Sequence, residues 1–321
     1  MTADQPHALL LAGPTASGKS ALALALAERF GGTVINADSM QVYRELRIIT
    51  ARPTAEEEAL VPHRLYGVRP AAEAASVAWW RAEALAAMEE SRAAGRLPIL
   101  CGGTGMYFAA LTQGLSDIPP IPDAAREEAR RLLAEEGPPA LHARLAAEDP
   151  QTAARLRPTD SQRIARAWEV WRGTGKGLAT WQAGGGTGPA PWRFAAILLD
   201  PPRDVLRAAI DKRWRAMLAG GAIEELHALV AQGLDPALPA MRAHGVPELA
   251  AHLAGRMTLE EASARAILNT GQYTKRQATW FRHHSLAVPN LMHTIHARIA
   301  GMTQLSESIS AEVFTFVDRV R

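Results

Sequence analysis

Apolar and polar positions alternate along the first hundred residues in blocks of strand and helix length. HALLLAGPTASGKSALALALAERF is an apolar run of strand length, a glycine-bounded turn, then Ala/Leu-rich helix formers from Lys19 to Phe30. TVINAD is a second, β-branched run ending at Asp38, and a long helical zone is expected after it. In the second half of that zone Ser76 can cap VAWWRAEALAAMEESRAAG, which stops at Gly95. LPILCGG is a third apolar run. This order predicts a parallel sheet covered by helices, with ligands beyond the carboxyl ends of its strands. From Asp117 to about Pro191 no buried strand is expected, only helical segments separated by DIPPIPD, EEGPP and GGGTGPAP. FAAILLD, at 194–200, restores the strand signal. The expectation is an α/β core from residues 1–116 and 190–321 with a helical insertion at 117–189. Helices dominate from Asp200 to about His284, and the tail from Ser285 is too weakly patterned to assign.

Composition narrows the class. With 321 residues, 48% hydrophobic and 21% charged, the chain has the profile of a globular protein rather than a disordered or collagen-like one. Cys101 is the single cysteine, so neither an internal disulfide nor a Cys-rich zinc site is expected. No stretch of 18 apolar residues and no cleavable leader pattern is present, so a soluble cytoplasmic protein without membrane attachment is expected.

Chemistry enters at Gly13-Pro14-Thr15-Ala16-Ser17-Gly18-Lys19-Ser20, which satisfies GxxxxGK[ST] between an expected strand and an expected helix. Glycines let backbone amides turn around a phosphate, and the helix N-terminus adds its positive end. Lys19 supplies a cation, and Ser20 can reach Mg²⁺. The loop implies a di- or triphosphate ligand; it does not imply ATP hydrolysis. Asp38, at the end of the second strand, is placed to orient a magnesium water or to accept a proton, or else to cap the following helix. Cys101-Gly102-Gly103-Thr104-Gly105 forms a second glycine-rich turn on the same edge, where Thr104 can bond a phosphate or a base and Cys101 reads as a small core residue. Arg213 can point from its helix toward the phosphate site or lie on a solvated face.

The net charge of +2, from 35 Lys and Arg against 33 Asp and Glu, hides two basic segments. Arg155, Arg157, Arg163, Arg166, Arg172 and Lys176 stand with only Asp160 and Glu169, and no acid at all occurs from Ala262 to Ser306. That second stretch interleaves Arg265, Lys275, Arg276, Arg282 and Arg298 with Tyr273, Trp280 and Phe281. Two such segments suit a clamp on a phosphodiester backbone, although each alone is also what a solvated helix face looks like. His283, His284, His293 and His296 lack a ligand spacing that would suit a metal. The phosphate loop and the basic segments leave open a small-molecule kinase with a helical lid and an RNA-binding module switched by a nucleotide.

GPTASGKS, INADSMQVYREL, GRLPILCGGTGMYF, PTDSQRIARAWEVWRGTGK and KRQATWFR occur in this order across about residues 8–284. Together they resemble the tRNA dimethylallyltransferases, also called tRNA isopentenyltransferases. The resemblance implies a P-loop-containing nucleoside triphosphate hydrolase-like parallel sheet with an inserted helical domain. It also implies transfer of a dimethylallyl group from dimethylallyl diphosphate to N6 of adenosine 37, just 3′ of the anticodon, in tRNAs reading codons that start with U. The products would be N6-(dimethylallyl)adenosine and diphosphate. Gly13, Pro14, Thr15, Ala16, Ser17, Gly18, Lys19, Ser20 and Thr104 would hold the diphosphate, with Mg²⁺ on Ser20 and Asp38. Asp38 would be the general base, with Thr15 and Arg213 at the reacting centre. Contacts to the tRNA anticodon stem-loop would come from Asp38, Ser39, Met40, Gln41 and Thr104, and from Gln162, Arg163, Ile164, Ala165 and Arg166. Arg242, Gly245, Lys275, Arg276, Gln277, Ala278, Thr279, Trp280, Phe281 and Arg282 would complete them. Family members are usually monomeric, and the lone Cys101 excludes the zinc finger some of them carry.

Two segments depart from the family pattern. LRIITARP stands where MDIGTAKP is usual, so Ile49 replaces a Gly and Arg52 a Lys. Val246 and Pro247 replace a Tyr and a basic residue after Gly245, which removes a stacking or phosphate contact.

Overall fold

The computed structural model describes residues 5–299 and 307–321. Two compact units are present, Met1–Thr112 with Ala190–Arg321, and Gln113–Pro189.

The first unit carries strands β1 (His7–Ala12), β2 (Gly32–Asn36), β3 (His63–Arg64), β4 (Leu97–Gly102), β5 (Arg193–Leu199) and β6 (Met292–Ile295). They form one parallel sheet in the order β3-β2-β4-β1-β5-β6. Alternate residues of β1 enter opposite cores: Leu10 packs on one face, Leu9 and Leu11 on the other. A run apolar from Ala8 to Ala12 is what burial on both faces of a parallel sheet demands. The helices of this unit before the insertion are α1 (Lys19–Phe30), α2 (Ala55–Leu60), α3 (Val77–Ala93) and α4 (Gly105–Thr112). The second unit holds α5 (Asp123–Glu148), α6 (Pro150–Ala153), α7 (Ser161–Thr174) and α8 (Leu178–Ala183). The first unit resumes with α9 (Arg203–Ala219), α10 (Ala222–Val230), α11 (Val246–Leu253), α12 (Leu259–His283) and α13 (Glu307–Val320). Leu22 and Leu26 of α1 join Val313, Phe316 and Val317 of α13 in one core. Trp80 of α3, Phe108 of α4, Trp214 of α9 and Phe281 of α12 join the other.

The second unit has its own small core, in which Leu132, Leu141 and Leu145 of α5 meet Ile164 and Trp168 of α7. Its long helix is broken at Gly137 (φ 78°), where Pro138 and Pro139 follow.

Two regions differ from expectation. The helical zone between Asp38 and Ser76 is mostly turns, with only the short α2 and the edge strand β3 regular. Pro53, Pro62 and Pro70 interrupt it, and side chains take the backbone groups a helix would have paired. The Glu225 carboxylate accepts the N–H groups of Arg47, Ile48 and Ile49 at 2.8, 2.7 and 2.9 Å. The tail, unassigned from sequence, supplies β6 at the sheet edge and α13.

Candidate active site

The carboxyl ends of β1, β2 and β4 bring the three sequence motifs to one edge of the sheet. Gly13–Ser20 links β1 to α1, with Gly18 as the residue before the helix, in the left-handed region (φ 95°). Asp38 follows β2, and Gly103 and Thr104 follow β4. Thr104 joins the last two: its hydroxyl accepts from the Ser39 N–H at 2.9 Å, and its own N–H donates to the Ala37 carbonyl at 3.2 Å. Asp38 does not cap a helix. Its Oδ1 accepts from the Met40 N–H at 2.9 Å in a tight local turn, and Thr54 caps α2 instead.

One open cavity of about 1360 Å³ lies along the phosphate loop and Asp38 and reaches Cys101 and Gly102 at the end of β4, while Thr104 is not in its lining. Thr15, Lys19, Ser20, Asp38, Arg213 and Arg298 line it, as do apolar side chains including Ile48, Ala209 and Met217. Three cations rest on consecutive residues of the loop. Lys19 Nζ donates to the Pro14 carbonyl at 2.8 Å, Arg213 Nη1 to Thr15 Oγ1 at 3.0 Å, and Arg298 Nε to the Ala16 carbonyl at 2.9 Å. Burial pushes the Lys19 ammonium down to about 8, against the field of the Asp38 carboxylate, which favours its charge. Burial lowers Arg213 as well, and Asp38 again opposes the shift. Cys101 is buried and pushed up to about 12, so its thiol stays protonated. Burial and the Asp38 charge likewise hold the Tyr273 phenol above its ordinary range.

Gln277 of α12 braces the site. Its Oε1 accepts from the Thr15 N–H at 2.9 Å and its Nε2 donates to the Gly103 carbonyl at 2.9 Å, so one buried amide spans the two glycine-rich turns. The resemblance places Gln277 among tRNA contacts; the structure engages both ends of its amide inside the protein. Ala278 and Phe281 are buried beside it, and Ile164 is packed into the core of the second unit. These four side chains are therefore not free to meet RNA. Lys275, Arg276, Thr279 and Arg282 are exposed on α12, with Trp280 half-buried. Gln162, Arg163 and Arg166 are exposed on α7, with Ala165 half-buried, and Arg242 is exposed before α11. Ser39, Met40 and Gln41 are half-buried in the turn after Asp38, where Gln41 Nε2 donates to the Thr50 and Ala51 carbonyls.

The two departing segments meet each other. Gly245 has φ 97°, and a Cβ there would stand 2.7 Å from Trp214 Cζ3 and 2.9 Å from Ile49 Cδ1. Gly245 is thus required for packing rather than shown to face RNA. Val246 is fully buried, and Pro247 sits in the first turn of α11, where its missing N–H leaves no hydrogen bond unmade. Arg52 donates to the carbonyls of Tyr43 and Arg44 at 3.2 and 3.1 Å, tying down the turn that follows β2. The sequence reading missed this role of Arg52, the brace at Gln277, and the arrival of Arg298 from the unassigned tail.

Comparison with known proteins shows the family of the chain. The IPP transferase family model matches residues 41–284. The tRNA dimethylallyltransferase of Granulibacter bethesdensis is 62% identical over 316 residues, covering 98% of both chains. That of Gluconacetobacter diazotrophicus is 61% identical over 98% of this chain and 94% of the relative. Among solved structures, a Bacillus halodurans tRNA isopentenylpyrophosphate transferase superposes with a TM-score of 0.67 at 32% identity, covering 98% of each chain. A eukaryotic dimethylallyltransferase described as acting on tRNA gives 0.79 at 25% identity, over 98% of this chain and 80% of that one. The chain belongs to the IPP transferase family, that of the tRNA dimethylallyltransferases.

Proposed function

We propose that this enzyme transfers a dimethylallyl group from dimethylallyl diphosphate to N6 of adenosine 37, beside the anticodon, in tRNAs reading codons that begin with U. The observation that carries the reading is Asp38 lining the same cavity as the cation-bearing phosphate loop, with apolar wall residues beside them. An allylic diphosphate has both an anionic end for the loop and a hydrocarbon end for Ile48, Ala209 and Met217.

In the proposed reaction the N6 lone pair attacks C1 of the allyl group, and the C1–O bond breaks with its electron pair leaving on the diphosphate. The N6 proton passes to the Asp38 carboxylate. Lys19, Arg213 and the loop amides neutralise the charge that grows on the leaving group, which is where a fixed electrostatic environment lowers the barrier most. Thr15, held by Arg213 and Gln277, fixes the loop against the departing oxygen. Ser20 and Asp38 line the cavity, and among the described residues no three His, Cys, Asp or Glu side chains cluster for a metal. That sparse set fits a Mg²⁺ that keeps its waters and takes phosphate oxygens, and such an ion would add positive charge at the leaving group. The exposed cations of α7 and α12 are proposed to hold the anticodon stem-loop through its backbone. No helix among the described residues is long and apolar enough to cross a membrane.

The test is turnover of unmodified tRNA with dimethylallyl diphosphate, read by nucleoside mass spectrometry. Transfer by the wild type and a loss of at least about 100-fold in kcat for Asp38→Ala support the reading, in line with the usual worth of a general base. Near wild-type transfer by Asp38→Ala contradicts the assignment of the base.

A further inference from the structure

We propose that Arg298 is a third cation of the diphosphate site, brought to the phosphate loop by the chain that follows β6. The inference rests on the reading of that loop as a diphosphate cradle. It concerns a residue beyond the region that the family model matches, which ends at 284.

The segment after β6 lies directly along the loop. Arg298 Nε donates to the Ala16 carbonyl at 2.9 Å, and the Ile299 N–H donates to the Ser17 carbonyl at 3.0 Å. The approach is so close that a Cβ at Gly18 would stand 1.8 Å from the Ile299 carbonyl oxygen. Ala16 itself holds a left-handed backbone (φ 64°), a conformation that a non-glycine residue adopts at a cost of about 1 kcal/mol or more. The turn is therefore held in a shape that presents its carbonyl to Arg298.

With Nε engaged by Ala16, the Nη groups of the guanidinium remain as donors. Arg298 lines the same cavity as Lys19 and Arg213, and it is in none of the ion pairs found among the described residues. The absence of any acid from Ala262 to Ser306 accounts for this locally. The field of Arg298 also disfavours the charged form of Arg213. Two guanidinium groups that repel each other, each anchored to the same loop and facing the same cavity, are in their best arrangement when an anion lies between them. A diphosphate, with its several negative charges, is the ligand class that takes Lys19, Arg213 and Arg298 together.

A merely structural role, tying the tail to the loop, has to be separated from charge. Arg298→Gln keeps an amide donor for Ala16 and removes the charge, whereas Arg298→Lys keeps the charge. The measurement is the Kd of the full chain for inorganic diphosphate by calorimetry, with thermal melting of each variant. The expected result is a loss of about tenfold or more in Arg298→Gln and no more than about threefold in Arg298→Lys, as a charge-assisted contact implies. Wild-type affinity in Arg298→Gln overturns the proposal, and so does an equal loss in both variants. If the wild type itself does not bind diphosphate, the reading of the loop falls and the proposal with it. Binding by the wild type that is indifferent to residue 298 leaves that reading standing and removes this one.

Discussion

Lys19 is a half-buried cation whose charge is sensitive to pH. Its ammonium titrates near 8 because burial disfavours the charge, so in the free enzyme the cation is present below that pH and lost above it. Affinity for inorganic diphosphate is accordingly expected to fall as pH rises through about 8. In Lys19→Arg, whose guanidinium stays charged, that particular decline should vanish even if binding is weaker; a calorimetric pH series on both proteins checks it. Gln277 gives a second prediction. Gln277→Ala leaves the Thr15 N–H and the Gly103 carbonyl without their partners, so a loss of about 1–3 kcal/mol of stability and a raised KM for the prenyl donor are expected from melting and steady-state kinetics. Lys19 and Asp38 could be picked out from sequence because local pattern carries them: a fixed motif in one case, the end of a strand in the other. Gln277 could not be read as a brace because its partner Thr15 lies 262 residues away, and Arg298 is 282 residues from Ala16. Hydrogen bonds across such separations leave no local periodicity to read.

At the level of elements, α12 serves two purposes on two faces. Gln277, Ala278 and Phe281 are buried, while Lys275, Arg276, Thr279 and Arg282 are exposed, so a single helix stabilises the site and offers cations outward. The two faces should separate by mutation. Phe281→Ala is expected to destabilise the fold by about 3–5 kcal/mol in a denaturant titration, as large-to-small changes in a packed aromatic core do. Arg282→Ala should leave stability within about 0.5 kcal/mol. The strands β1, β2, β4 and β5 were legible because each is an apolar run bounded by glycine, proline or a polar turn. β6 was not: MHTI is four residues at the sheet edge, only one of them fully buried, and its pattern is no stronger than a loop's. The stretch from Asp38 to Ser76 is rich in Ala, Glu and Arg, all good helix formers, which is why propensity alone favours helix there. Tertiary partners such as Glu225, which lies in α10 and takes three backbone N–H groups of that stretch, are invisible to propensity.

For the whole molecule, a net charge of +2 is compatible with a large polyanionic partner because α7 and α12 each present exposed cations, those of α12 in a stretch that holds no acid from Ala262 to Ser306. Arg163 and Arg166 on α7 make only exposed pairs with Asp160 and Glu169, at 3.5 and 3.2 Å, which hold them weakly and leave them available to phosphates. The double variant Arg163→Ala with Arg166→Ala is expected to raise the KM for tRNA roughly tenfold, to flatten its dependence on salt, and to leave the affinity for inorganic diphosphate unchanged. The departures from the family pattern do not disturb this division of labour, since Ile49, Gly245 and Val246 are packed together against Trp214 and the core rather than placed on the surface. The central claim is that the phosphate loop and Asp38 together alkylate an adenine amine instead of transferring phosphate. The most direct measurement is nucleoside mass spectrometry of unmodified tRNA after incubation with the enzyme and dimethylallyl diphosphate, without ATP. The account predicts an adenosine carrying one added dimethylallyl group, formed by the wild type and abolished in Asp38→Ala. Unchanged adenosine with the wild type, or a product that appears only when ATP is supplied, would contradict it.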